Sequence, residues 1–174
     1  MADAQASPLA AVKSSGSSAF KAIFLGGLLV GVIDIAYAIL VYSPRHPVRI
    51  LQSVGSGIFG RNSFKMGAES AIVGLLCHFT IAIGAAAVYY LASRKIPFMT
   101  EHAVIAGMIY GALVYGFMHL VVLPLSAAPA GHAAFIYKAC EFVEHWFGVG
   151  LPIALSVRRY APYDRVSSGL RYGR

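Results

Sequence analysis

The sequence predicts an all-α fold, a bundle of four transmembrane helices with a short interfacial or re-entrant segment between helices 1 and 2. Three observations carry that expectation. Hydrophobic residues make up 58% of the chain and charged residues 12%, about half the charged share of a soluble domain, which leaves too little polar surface for a water-facing globule. The apolar residues gather into long runs, each near the roughly 20 residues a helix needs to cross a hydrocarbon core. Prolines, glycines and basic residues separate those runs, where helices stop and meet the membrane surface.

Residues 1–18, rich in Ala and Ser without a sustained apolar period, read as a flexible tail. The first span runs from Ala19 to Tyr42 and is stopped by Ser43-Pro44 and Pro47. Ala36-Tyr37-Ala38 has the small-x-small form of a signal-peptide cleavage site, but apolar sequence continues past it, so the run is expected to be an uncleaved span. Residues 46–65 place Ile50, Leu51, Val54 and Ile58 at helical spacing with Arg49 and Gln52 between them. That stretch is too short and polar to span. It is expected to lie on the interface or to form a shallow re-entrant loop broken at Gly55 and Gly57. The second span covers Met66 to Ser93, with Asn62 or Ser63 as its N-cap. The third begins after Thr100 and ends near Leu123, stopped by Pro124; the fourth covers Ala133 to Val157, with a kink at Pro152. Residues 19–159 thus form the membrane domain and 160–174 a basic tail. Cys77 and Cys140 lie in apolar runs without CxxC spacing and read as small core residues.

The net charge of +7 would suggest nucleic acid in a soluble protein. Here the basic residues flank apolar runs, so the partner they imply is the lipid bilayer and not nucleic acid. With both termini on one side, that side carries Lys13, Lys21, Arg94, Lys95, Arg158, Arg159, Arg165, Arg171 and Arg174, against Arg45, Arg49, Arg61 and Lys65 on the other. The excess predicts both termini in the cytoplasm, in a multi-pass protein of a bacterial inner membrane.

Function has to be sought among ionisable groups inside the spans, which are costly at membrane depth and face the bundle interior. They are Asp34 in span one, Glu69 and His78 in span two, His119 in span three, and Lys138, Glu141, Glu144 and His145 in span four. Measured from the outer ends, Asp34, His119 and Glu141 come out roughly 10 to 14 Å deep, His78, Glu144 and His145 near 18 Å, and Glu69 and Lys138 within 8 Å. All eight therefore fall in the outer half. Lys138, Glu141, His145, Gly148 and Pro152 make one helical stripe; Gly27, Gly31, Asp34 and Ala38 share a face, as do Gly74, His78, Ala82 and Ala85, and Gly111, Tyr115 and His119.

Three readings of this buried polar cluster stay open. It binds or conducts an ion, a proton or a small solute. Alternatively it holds a cofactor: His78 and His145, at matching depth, suit bis-histidine ligation of haem b, and Glu141, Glu144, His145 and His119 suit a divalent metal. Glu141-x-x-Glu144-His145 is not the Glu-x-x-His of di-iron bundles. In the third reading the groups are purely structural: Lys138 pairs with Glu141, Glu141 accepts from His145, and Asp34 or Glu69 meets His119. No motif demands a cofactor, and no Walker loop, GxSxG elbow or HExxH points to an enzyme. Gly27-x-x-x-Gly31 and Gly107-x-x-x-Gly111 imply close helix packing, including self-association as a homo-oligomer or entry into a larger membrane complex. Trp146 and the ten tyrosines read as interfacial anchors.

The phrases GLLVGVIDIAYA, ILQSVGSGIFG, IVGLLCHFTIAIGAAAVYYLASRK, GMIYGALVYGFMHLVVLPLSA and HWFGVGLPIAL, spread over Phe24 to Arg159, together resemble a widespread group of small uncharacterised bacterial inner-membrane proteins with four helices. The resemblance implies that fold and location, and no chemistry. It also implies that the His119 position, often Asn in a phrase similar to MNxVVxPLS, is a hydrogen-bonding place, with His78 and His145 the better ligand candidates.

Overall fold

The computed structural model describes residues 8–131 and 134–161, and every regular element among them is helical. Residues 1–7 and most of the expected basic tail, 162–174, lie outside the described residues. The first helix, α1 (Pro8–Tyr42), already begins within the segment expected to be a tail. After a short turn come α2 (Pro47–Phe59), a 3-10 turn (Gly60–Lys65) and α3 (Ala68–Ser93). They are followed by α4 (Phe98–Glu101) and α5 (Ala103–Phe117), and α5 continues through a π-helical segment, Met118–Val122, into α6 (Leu123–Leu125). In the same way α7 (Phe135–Glu144) continues through π-helical His145–Gly150 into α8 (Leu151–Tyr160).

Three stretches are long and apolar enough to cross a membrane: Gly16–Tyr42, Ala68–Ser93 and Ala103–Leu125, with mean hydropathy 2.3, 2.2 and 1.8. The expected fourth span is helical but falls short of that standard, because Lys138, Glu141 and Glu144 crowd one half and Arg158 and Arg159 the other. Large apolar side chains cover the outside, with Leu40, Leu76, Leu91, Leu113 and Leu120 all more than half exposed. Water would penalise such a surface; hydrocarbon does not. Length, apolarity and this outward belt mark a membrane protein.

Inside, the helices touch through small residues. The core is Ala22, Val30, Ala82, Ala86, Ala103, Ala106, Val149, Ile153, Ala154 and Val157 around the buried ring of Tyr89. Gly27 and Gly31 of α1 lie against Ile83 and Phe79 of α3, so these helices run antiparallel. Gly107 and Gly111 of α5 lie against Gly150 and His145, backbone on backbone. Both GxxxG pairs therefore have partners within the chain. Tyrosine hydroxyls tie the rest: Tyr110 Oη donates to the Ala85 carbonyl at 2.7 Å and Tyr89 Oη to that of Met99 at 2.8 Å. Arg94 donates to the Ala161 carbonyl at 2.6 Å, fastening the end of α8.

Several local expectations change. Helix α2 runs unbroken through Gly55 and Gly57 and packs along α3; Gly55 is where its backbone meets the Ser70 carbonyl, and Gly74 is where α3 meets that of Leu51. The chain reverses instead at Gly60 and Gly67, whose positive φ angles of 57° and 64° suit glycine. Ser63 is not an N-cap. It donates to the Gln52 carbonyl, and Ser70 donates to the Ser63 carbonyl, both at 2.6 Å. Pro124 sits inside the third span, which continues to Leu125. Cys140 is exposed on α7, outside the core. Trp146 lies mid-helix against Phe142 with a buried Nε1, away from any span end.

Candidate functional site

Both π-helical segments lie at a proline. Pro124 and Pro152 lack an N–H, and each ring crowds the carbonyl four residues back, at Leu120 and Gly148. The turns containing those carbonyls are the ones that widen, Met118–Val122 and His145–Gly150. Such bulges recur at functional sites. Here each carries a histidine, His119 or His145, to the same place.

That place is a partly open cavity of about 460 Å³ lined by α1, α2, α3, the α5–α6 helix and the α7–α8 helix. Its polar lining comprises Asp34, Tyr37, Tyr42, Ser53, His78, His119, Glu141 and His145; the rest is apolar, from Val30, Ile81, Val114, Met118 and others. Among the described residues no Lys or Arg lines it. Five of the eight sequence-predicted residues thus meet around one space. Glu144 lies just behind the wall, its side chain 6% exposed. Glu69, in the first turn of α3, and Lys138, on α7, are exposed and outside the lining.

Each histidine is held by a backbone carbonyl, which can only accept, so the facing nitrogen carries the proton. His78 Nε2 donates to Gly31 at 2.8 Å, His119 Nδ1 to Tyr115 at 3.1 Å and His145 Nδ1 to Glu141 at 2.9 Å. The second nitrogens of His78 and His119 then face carboxylates: His78 Nδ1 is 3.8 Å from Asp34 Oδ2, and His119 Nε2 is 3.8 Å from Glu141 Oε2. These gaps exceed a hydrogen bond. In the neutral tautomer two acceptors confront each other across each gap, an arrangement satisfied by a proton or a cation between them. His145 Nδ1 also lies 3.1 Å from Glu144 Oε2. For bis-histidine haem ligation through Nε2, His78 would have to release Gly31.

The pairing expected from the sequence is rearranged. Among the described residues the Glu141 carboxylate pairs with His119 rather than Lys138, while its backbone carbonyl accepts from His145; Asp34 pairs with His78, and neither Asp34 nor Glu69 pairs with His119. The wide turn at His145 ends the regular stripe from Lys138, and the Glu144 carboxylate lies over Gly148. Tyr37 and Tyr42, taken for surface anchors, belong to the site. Tyr42 Oη donates to Glu141 Oε2 at 3.4 Å, and Tyr37 Oη is buried without a partner. Tyr37 follows Asp34 by three positions, so helical spacing alone places it on that face. Comparison with protein-family models, curated proteins and solved structures finds no match to this chain.

Proposed function

We propose that the protein binds and conducts a small cation, a proton included, through this cavity inside the membrane. One observation carries the reading: two carboxylate–histidine pairs set acceptor against acceptor across 3.8 Å in a space that, among the described residues, no Lys or Arg lines. A carboxylate in such surroundings needs a positive counter-charge. The three-to-three match of carboxylates and histidines also supports a structural role, in which the pairs only set helix register.

The reading includes four crossings. The Phe135–Tyr160 stretch reaches roughly 39 Å at helical rise. It lies along α1 from Ser156 at Gly26 to Gly148 at Ile33, and along α5 from Ala154 at Gly107 to His145 at Gly111. A helix packed in this way between two spans crosses with them, its charges screened by the bundle. Both termini then face one side, and the basic-residue bias makes that side the cytoplasm of a bacterial cell.

The test is cation and proton flux into proteoliposomes, comparing wild type with Asp34→Asn and Glu141→Gln. Losing one charge-assisted contact, at about 1.5 to 3 kcal/mol, lowers flux tenfold or more. Unchanged flux in both variants, with their melting temperatures lowered, assigns the cluster to structure alone.

A further inference from the structure

Glu144 is the group the cavity does not use. Its side chain is 6% exposed, and among the described residues the one donor beside it is His145 Nδ1, 3.1 Å from Oε2, whose proton is already given to the Glu141 carbonyl; Oε1 has no partner. Burying an ionised carboxylate with so little compensation is among the costliest arrangements a fold can hold. The fold nevertheless makes room for it: a Cβ on Gly148 would collide with Glu144 Oε1. A second carboxylate, Asp34, faces it from α1. One ligand atom from each of Asp34, Glu144 and His145 lies within 4.8 Å of the other two. Nearby, Tyr37 Oη is also buried and unpartnered. Two carboxylates side by side repel, and both are stabilised by one multivalent cation between them.

We propose that Asp34, Glu144 and His145 form a binding site for a divalent transition-metal ion in the wall of the cavity. Two carboxylate oxygens and an imidazole suit a first-row metal such as zinc, manganese or iron(II), and do not suit the softer copper(I). At metal–ligand distances of about 2.0 to 2.2 Å, ligand atoms lie about 3 to 4 Å apart. His145 Nδ1 and Glu144 Oε2, at 3.1 Å, already do. Asp34 closes the set by a small side-chain rotation. Coordination through Nδ1 moves the ring proton to Nε2 and frees the Glu141 carbonyl, and solvent or a further ligand completes the coordination shell. The site deepens the cation-binding reading, since Asp34 and His145 also line the cavity, but it stands on Glu144, which does not.

The experiment is cobalt(II) titration of the purified full chain in detergent, followed by visible absorption and elemental analysis, with zinc competition. Wild type is expected to take up one cobalt per chain with ligand-field bands that zinc displaces. Glu144→Gln, which keeps shape and removes charge, is expected to weaken binding about 100-fold or more. Gly148→Ala, which alters no ligand but displaces the Glu144 carboxylate, is expected to do the same. Glu69→Gln is the control and binds as wild type. Substoichiometric, band-free cobalt in wild type, or wild-type affinity in both Glu144→Gln and Gly148→Ala, overturns the site. Cation flux retained in a protein that takes up no cobalt sinks the metal site alone; cobalt uptake without flux leaves the metal site standing and removes the conducting cavity.

Discussion

Gly74 and Gly84 sit on the same helix and meet opposite surroundings. A Cβ on Gly74 would strike the Leu51 carbonyl and the Gly55 backbone of α2, whereas nothing lies within 4 Å of one on Gly84. Gly74→Ala is therefore expected to destabilise the protein by about 1 to 3 kcal/mol by forcing α2 off α3. Gly84→Ala stabilises it by about 0.5 to 1 kcal/mol, through helix propensity alone. Denaturant unfolding in detergent reads both, and a neutral Gly74→Ala would show that α2 does not dock where described. The sequence contained both glycines but not the distinction, since a contact between two remote backbones leaves no mark on either segment. Asp34, His78, His119, Glu141 and His145 were legible one at a time, because an ionisable residue in an apolar run is rare and costly wherever it falls. Their partners were not, because a choice among three histidines and three carboxylates is made by helix phase to within a single residue.

At the scale of elements, the π-helical turns at Pro124 and Pro152 decide that phase. A one-residue bulge turns everything beyond it by roughly 100° relative to a regular helix. Pro152→Ala restores the missing N–H and lets the turn close in α form. The expected outcome is a helix at least as stable as wild type, with His145 and Glu144 rotated away from Asp34 and cation flux reduced tenfold or more. Thermal unfolding and proteoliposome flux, measured on one preparation, check the two halves separately. Flux at the wild-type level would mean that the wide turn has no part in shaping the site. Both prolines were visible in the sequence as a stop and a kink. Their third effect, widening the turn before them, depends on what the neighbouring helices press against that turn; before Pro152 it is Gly107 and Gly111, packed on Gly150.

For the whole molecule, the apolar belt predicts that the chain stays with the membrane pellet under alkaline carbonate and leaves it only with detergent. Reporters fused to the two termini are expected to fall on the same, cytoplasmic side; opposite sides would limit the protein to the three apolar spans. The sequence by itself determined the solvent and the class of fold. Composition and run length are properties of the chain that hold however it packs, so an all-helical membrane protein could be read directly. Only the tertiary structure decided that Glu69 and Lys138 stand apart, that Tyr37 and Tyr42 belong to the cavity, and that Glu144 faces Asp34. Those outcomes turn on helix crossings set by Gly27, Gly31, Gly107, Gly111 and Gly150, and on two bulges that shift every residue beyond them. The physical reason is that periodicity assigns a residue to a face of its own helix, while the neighbour met by that face is a property of the assembled bundle.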